Sequence, residues 1–469
     1  MKLLGAVFLS ILIGSGAIAQ NIASDSVKEE KNLKLSIGSL LSTGSDAPFW
    51  IQGNNSQRLT TDPNALFIEA SGVQPLFAKN RFSLDLGFDL IARQSNETTG
   101  DIIQGYVQAN LGKIAFFAGR KEEIFGVRDT LLTVGPFVNG NNSLPIPKIA
   151  LYSKDWIDIP FTKQYFQFQF YYAHGWFEKD RAVISPFLHQ KYLYLRLSNE
   201  SLPFSLFAGL THQVQWGGTI RSSGKKLPSS LNDYRRIFFG KSGTDESMRS
   251  DFLNALGNHL GNYDLGFTLE LGQWDLLSYL NLLYEDHSGL QVKNFADGKL
   301  GISVSREKGY LFEGFLFEIF DTTDQNGNKY DSDGNFYFEP DNFFNNGIYR
   351  AGWSYLNQSV GNAMFLIPDR NEYGVFRVKS AINGFNTGIR GSIYGSAYTL
   401  KYNKYRNQGN LFENTLKNID FENLILSNLN FSLNRNLKSN LFMRGILNYQ
   451  WGNFVEDGIG LFFSVTKKF

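Results

Sequence analysis

The residues with the strongest potential for acid-base chemistry are five histidines: His174, His189, His212, His259 and His287. A hydrolase needs a nucleophile beside such a base, yet the sequence contains neither an HExxH nor a GxSxG motif. Asp286, His287 and Ser288 are consecutive, and adjacent residues on a strand point to opposite faces, so they cannot form a triad. The absence of cysteine excludes disulfides, thiolate metal sites and cysteine nucleophiles. We therefore predict a protein that is not an enzyme.

A segment rich in Asp and Asn, from Asp321 to Asn346, resembles a calcium loop in composition. Such a loop alternates oxygen ligands and needs glycine at its sixth position. Asp324, Asn326 and Asn328 have the right spacing, but Lys329 stands where the glycine is required. We predict a surface loop of Asx turns, with no metal and no cofactor.

The segment HQVQWGG, from His212 to Gly218, combines amides with an aromatic ring. Sugars present apolar C–H faces and a fringe of hydroxyls, so their sites combine aromatic platforms with amides and charged groups. Gln213 and Gln215 share one face of the predicted strand, and Trp216 lies on the other. Either the amides recognise sugar hydroxyls, or they fill the protein interior while Trp216 lies at a membrane interface.

Two further groups are candidates for contact with a polymer. Trp353 and Tyr355 are either sugar platforms or interfacial aromatics. Arg120 either contacts an anionic polymer or pairs with a carboxylate, such as Glu122 or Glu123, and we favour the pairing.

Asp286, His287 and Asp297 lie in a connection bounded by Gly289 and Gly298. They either bind a polymer or fix the loop through Asx turns, and the second interpretation is favoured.

These candidates must be positioned by strands, because the dominant pattern from Arg81 onward is alternation with period two. Phe82, Leu86 and Leu90 alternate with Asp85 and Asp89, and similar runs recur along the chain. Alternation predicts strands with one apolar and one polar face. The apolar face lies against a core in a soluble sandwich and against lipid in a membrane barrel.

Three features favour the barrel. The strands are roughly ten residues long, as a tilted membrane crossing requires. Aromatic residues gather near strand ends, as in interfacial girdles, and the chain ends as an alternating strand with a terminal aromatic, Phe469. The aromatics at strand ends include Tyr171, Trp176, Tyr279, Tyr449 and Trp451.

The length sets the size of the barrel. About 390 residues follow Arg81 and accommodate roughly 16 to 18 strands. We assign residues 81–469 to an all-β, antiparallel transmembrane barrel with long extracellular loops. Residues 20–80 form an N-terminal segment with a first strand and a short irregular or helical part, placed between Asn54 and Ser71 at the periplasmic end or in the lumen.

The first 19 residues resemble a signal peptide. Lys2 precedes an apolar run from Leu3 to Ile13, and Ala17 to Ala19 form a cleavage site. The chain has 45 Lys and Arg against 44 Asp and Glu, so removal of Lys2 leaves 44 of each. A protein without net charge lacks the basic face of a nucleic-acid binder. We predict export to the outer membrane.

Seven segments resemble the Wzi family of outer-membrane capsule-assembly proteins, in the form common in Bacteroidetes. The segments are Ala118 to Arg120, Ser143 to Leu151, His212 to Gly218, Asn254 to Asp264, Tyr284 to Gly289, Asp297 to Ile302, and Ala351 to Asn362. The resemblance implies a plugged barrel of about 18 strands with a lectin-like role, which holds capsular or other surface polysaccharide.

The expected partners are therefore a capsular or other exopolysaccharide, the lipid of the outer membrane and, during insertion, the barrel assembly machinery. The polysaccharide-binding candidates are the residues introduced above: Arg120, Gln213, Gln215, Trp216, Asp286, His287, Asp297, Trp353 and Tyr355. A porin or substrate-specific channel is the main alternative, because a lumen lined by polar side chains would also suit diffusion. The strands show no polar stripe for a partner on their lipid face, so we expect a monomer.

Overall fold

A computed structural model describes residues 32–469, except 246, 254, 286–296, 326–328, 331–335, 338–341, 369–370, 372–373 and 411–421. Within these residues, eighteen long strands form one antiparallel sheet. The strands are β1 (Asn32–Ser42), β2 (Ala65–Lys79), β3 (Phe82–Gln94), β4 (Thr98–Leu111), β5 (Ile114–Arg120), β6 (Lys148–Ser153), β7 (Phe166–Trp176), β8 (Phe187–Leu197), β9 (Phe204–Trp216), β10 (Asn258–Leu271), β11 (Trp274–Tyr284), β12 (Gly298–Arg306), β13 (Gly314–Asp321), β14 (Ile382–Ile393), β15 (Ser396–Asn407), β16 (Leu424–Asn436), β17 (Leu441–Gly452) and β18 (Gly458–Lys468).

The sheet closes into a barrel because β1 pairs with both β2 and β18. Closure leaves no strand edge with unpaired backbone groups, which a lipid environment requires. Three short helices lie in the connections: α1 (Phe49–Gln52), α2 (Leu231–Phe238) and α3 (Arg249–Leu253). None of the described helices has the length and apolar character needed to cross a membrane. The predicted all-β barrel is confirmed.

The two faces of each strand have opposite environments, as β3 shows. Phe82, Leu86 and Leu90 are 40%, 38% and 43% exposed, whereas Asp85 and Asp89 are almost completely buried. The apolar face therefore points outward and the carboxylates point into the lumen, the arrangement expected for a barrel surrounded by lipid.

The two ends of the barrel differ in the length of their connections. Residues 80–81, 112–113, 272–273 and 394–395 form two-residue turns at one end, and residues 121–147, 217–257 and 322–381 connect strands at the other. Tyr394 and Gly395 both have positive φ, 49° and 75°, as a type I′ hairpin turn requires. Outer-membrane barrels have short periplasmic turns and long extracellular loops, so the long-loop end is extracellular.

Two of the long connections fold into the lumen and pack together. We call residues 121–147 and the described part of 342–381 the plug. Its core is aromatic: Phe344 and Phe365 have ring centroids 4.2 Å apart, and Phe137 packs on Phe365 at 5.4 Å and on the wall residue Phe320 at 5.8 Å. The hydrophobic core therefore lies inside the barrel.

Glu318 on β13 anchors the plug to the wall. Its carboxylate accepts hydrogen bonds from Thr133 Oγ1 at 2.6 Å and from the backbone N–H of Val134 at 2.9 Å. Tyr279 OH donates at 2.5 Å, and Lys299 Nζ lies 3.2 Å away. These donors and Lys299 offset the desolvation penalty of a buried carboxylate, so the contact fixes the position of residues 133–135.

The N-terminal segment differs from the prediction. β1 and β2 are complete barrel strands, so the barrel begins at Asn32 and not at Arg81. The short helix is α1, which precedes the predicted span, and β2 occupies the end of that span from Ala65 onward. Helix α1 lies in the β1–β2 connection at the extracellular end, where Ile51 packs against the core of the plug. The pattern of β2 is hard to recognise in the sequence because Gly72 and Gln74 interrupt its outward, apolar face.

The predicted aromatic girdle is only partly correct. Trp176 and Tyr449 face outward and are each 43% exposed, and Trp451 stacks on Tyr449 with centroids 5.0 Å apart. Tyr171 and Tyr279 instead point into the lumen and are buried. Each lies one position out of phase with the outward residues of its strand, so its side chain reaches the plug and not the lipid.

Candidate binding cleft

A half-open cleft lies between residues 121–147 of the plug and the inner wall near β6, β8 and β9. Its free volume is about 50 Å³. This accommodates a few water molecules or one polar substituent of a sugar, but not a whole ring. The polar residues that line it are Lys121, Glu122, Glu123, Asn139, Asn141, Ser143, Lys148, Gln190 and Gln213.

A continuous chain of polar contacts crosses the cleft. Lys148 Nζ lies 2.5 Å from Glu123 Oε2 and donates to Gln190 Oε1 at 2.9 Å. Gln190 Nε2 donates to Asn139 Oδ1 at 2.9 Å and to Gln213 Oε1 at 3.3 Å. Gln190 and Gln213 are direct partners in the β8–β9 register, which explains why their amides meet. The arrangement orients the Asn139 amide, whose Nδ2 donor is buried without a partner.

The two predicted glutamines face the lumen, as both alternatives required. Gln213 Nε2 donates to the backbone oxygen of Val138 at 3.4 Å, and Gln215 Nε2 donates to that of Gly352 at 2.8 Å. Both side chains therefore hold plug backbone in place, and only Gln213 also lines the cleft.

Trp216 lies on the opposite, outer face of β9. Its ring packs against Phe187 at 5.1 Å and against Tyr234 of α2 at 5.2 Å, and it is 5% exposed. A ring covered in this way is available neither to a sugar nor to the lipid interface, so both predictions for Trp216 are wrong. Sequence alone did not show that the β9–β10 connection folds back over the outer wall.

Trp353 and Tyr355 are buried in the plug. Trp353 packs edge-on against Phe177 at 6.3 Å, so it serves as core and is neither platform nor girdle. The OH of Tyr355 accepts a hydrogen bond from Arg120 Nη2 at 2.9 Å. The two predicted partners of Arg120, Glu122 and Glu123, bind Arg58 and Lys148 instead. Arg120 thus positions the plug through a neutral hydroxyl. The neighbouring carboxylates in the sequence had suggested an ion pair instead.

Asp297 binds the backbone of the β13–β14 connection, a contact that the favoured alternative, an Asx turn within its own connection, did not predict. Its two oxygens accept the backbone N–H groups of Asp324 and Gln325 at 3.0 and 2.7 Å. Burial raises the pKa of Asp297 to about 8, against the lowering effect of these N–H groups. Asp286 and His287 lie outside the described residues, as do twelve of the 26 residues of the Asp- and Asn-rich segment. Within the described residues, no three side chains of the His, Asp and Glu types converge on a metal position.

Arg58 is the main polar residue that sequence reasoning missed. It pairs with Glu69 at 3.0 Å, Asp89 at 2.5 Å and Glu122 at 2.6 Å. Burial alone raises the pKa of Glu122, but the hydrogen bonds and charge of Arg58 outweigh it and lower that pKa below its usual value. The signal lay in the alternation itself, because carboxylates on the lumen faces of β2 and β3 require a buried cation.

Strained backbone borders the cleft beside Arg58. Asn54, Ser56 and Gln57 have φ values of 54°, 47° and 56°, which non-glycine residues seldom adopt. The plug stabilises this conformation, because Asn142 Oδ1 and the backbone oxygen of Asn141 accept the N–H groups of Asn54 and Ser56 at 3.3 and 2.5 Å. Strain that is held by surrounding contacts is common at ligand sites.

The family model of the capsule assembly protein Wzi matches residues 27–366, which is most of the chain. The chain belongs to the Wzi family. In fold, it is similar to Wzi of Escherichia coli, described as an outer-membrane, carbohydrate-binding β-barrel involved in group 1 capsule assembly. That match has 14% identity, a TM-score of 0.61, and coverage of 93% of this chain and 84% of the other. A weaker match is OccK5 of Pseudomonas aeruginosa, with 11% identity, a TM-score of 0.49 and coverage of 93% and 97%. No curated protein sequence matches.

Proposed function

We propose that this Wzi-family protein resides in the outer membrane and holds surface polysaccharide by non-enzymatic binding. The observation that carries the proposal is the cleft at the extracellular end, where an oriented but unpaired Asn139 donor lies beside Lys148, Glu123 and two glutamines. Amide and charged groups in such an array match the hydroxyls and carboxylates of a glycan. The description of E. coli Wzi as carbohydrate-binding agrees with this chemistry.

The small volume of the cleft suggests how a polymer binds. A sugar substituent enters beside Asn139, while the rest of the chain lies across the extracellular loops. Binding is then multivalent, so weak contacts along the polymer add up to firm retention. A monomeric barrel suffices for this, and the predicted signal peptide would deliver it to the membrane.

The test is binding of fluorescent capsular polysaccharide to the purified full-length protein in liposomes. Asn139→Ala should weaken binding about fivefold, the value of one hydrogen bond. Asn434→Ala on β16, outside the cleft, is the matched control and should bind normally. Binding of capsular polysaccharide no tighter than that of neutral dextran would count against the proposal, as would shortening of the polymer during incubation.

A further inference from the structure

The β9–β10 connection, residues 217–257, folds onto the outer wall of the barrel instead of into the lumen. We call it the lobe. Its helix α2 begins at a capping box, in which Ser230 and Asp233 satisfy each other's backbone N–H groups. Tyr234 on the buried face of α2 contacts two outward-facing wall residues, because its OH lies 3.1 Å from His189 Nδ1 and its ring packs against Trp216.

The end of α2 lies at the upper margin of the lipid-facing surface. Lys191, an outward residue of β8, donates through Nζ to the backbone oxygen of Phe238, and its ammonium lies 3.8 Å from the centre of that ring. The next outward residues of β8, Leu193 and Leu195, are exposed. Because outward residues are about 7 Å apart along a strand, the end of α2 is about one such step above the lipid-facing band.

The lobe exposes several large apolar side chains, and Phe239 among them lies next to the end of α2. Leu231, Arg235 and Phe239 follow one another at intervals of four residues, so they form one stripe along α2. Leu231 is 72% exposed and Phe239 is 68% exposed, and Phe252 of α3 is also exposed. Such a stripe is unfavourable in water but is typical of helices that lie in a membrane interface.

The charge of the lobe is complementary to a phosphate-rich leaflet. Residues 217–257 contain seven Lys and Arg against four Asp and Glu. Two of the four acids, Asp233 and Asp251, are buried, whereas Arg235 and Lys241 are exposed. The Arg235 side chain has no ion-pair partner within the described residues.

We propose that the lobe is an interfacial anchor for phosphate-bearing lipid of the outer leaflet. Leu231, Phe239 and Phe252 enter the acyl region, and Arg235 and Lys241 bind the lipid phosphates. Apolar insertion and cationic contacts together hold amphipathic helices at anionic membrane surfaces.

The depth of the lobe can be measured directly, because the chain contains no cysteine. Nitroxide labels are attached to Phe239→Cys, to Leu193→Cys as a lipid-facing reference and to Asn232→Cys as an exposed reference on the same helix. In lipid A vesicles, collisions with oxygen should relax the label at position 239 more than collisions with a water-soluble nickel complex. The label at position 193 should show the same preference for oxygen. A label at 239 that responds as at 232 overturns the proposal, and so does dipolar broadening between two copies of the chain.

The charge contacts are tested by native mass spectrometry of the purified barrel titrated with lipid A. The double variant Arg235→Gln with Lys241→Gln should bind lipid A about 30-fold more weakly. Lys163→Gln with Lys79→Gln removes two charges away from the lobe and serves as the control. Equal losses in the two double variants, or equal binding of lipid A and dephosphorylated lipid A by the unmodified protein, would refute the phosphate contacts.

Discussion

The plug and the lobe are both long extracellular connections, yet one turns into the barrel and the other folds over its outside. The inner wall offers carboxylates, amides and a lysine, which satisfy plug backbone, as Glu318 does for Val134. The outer wall near the lobe offers rings, and Trp216 packs against Tyr234 there. The two faces of the wall therefore bind different kinds of loop. The inner face binds loops through polar contacts, away from lipid, and the outer face binds them through aromatic contacts, next to lipid.

Removing the plug anchor should have the largest effect. Glu318→Leu leaves Lys299 buried without its carboxylate partner, along with four other hydrogen-bond donors, and breaking such a pair costs about 3–5 kcal/mol. We expect the unmodified protein to be silent in planar bilayers, and the variant to conduct ions because the plug leaves its position. Glu270→Leu, a change to an exposed residue of β10, is the control and should stay silent. A silent Glu318→Leu protein with unchanged melting temperature would show that other contacts hold the plug.

The two buried tryptophans separate the regions directly. Trp353→Ala and Trp216→Ala each remove a large buried ring and should cost about 3–5 kcal/mol locally. If the plug and the lobe are independent, Trp353→Ala increases the conductance and leaves the lobe resistant to protease. Trp216→Ala then exposes the lobe to protease and leaves the conductance unchanged. The same response in both variants would mean that the two regions unfold as one unit and that the comparison fails.

The sequence predicted the wall of this molecule better than its loops. Period-two alternation depends on neighbours two residues apart, so the barrel and the inward direction of Gln213 and Gln215 could be predicted from it. The paths of the plug and lobe depend on contacts between distant residues, such as Arg120 with Tyr355, which no local pattern encodes. For this reason Trp216 and Trp353 were assigned to exposed roles although both are buried, and Arg58 and Asn139 were missed.

The smallest effect concerns a pH response of the lobe that depends on Asp251. Burial raises the pKa of Asp251 in the lobe to about 7 from its usual value of 3.8, although the N–H of Gly257 lowers it in part. The folded lobe therefore favours the protonated acid. Its stability is highest below pH 4, falls as the pH rises towards 7 and is constant above that value.

Asp251→Asn should remove this dependence and stabilise the lobe at pH 8 by about 1 kcal/mol, because local opening lets the carboxylate regain water. The measurement is the rate of protease cleavage in the lobe at pH 5 and pH 8, with Asp245→Asn, an exposed acid of the lobe, as the control. The unmodified protein should be cleaved several-fold faster at pH 8 after correction for the activity of the protease. An Asp251→Asn variant that keeps the full difference would assign the pH response of the lobe to another group.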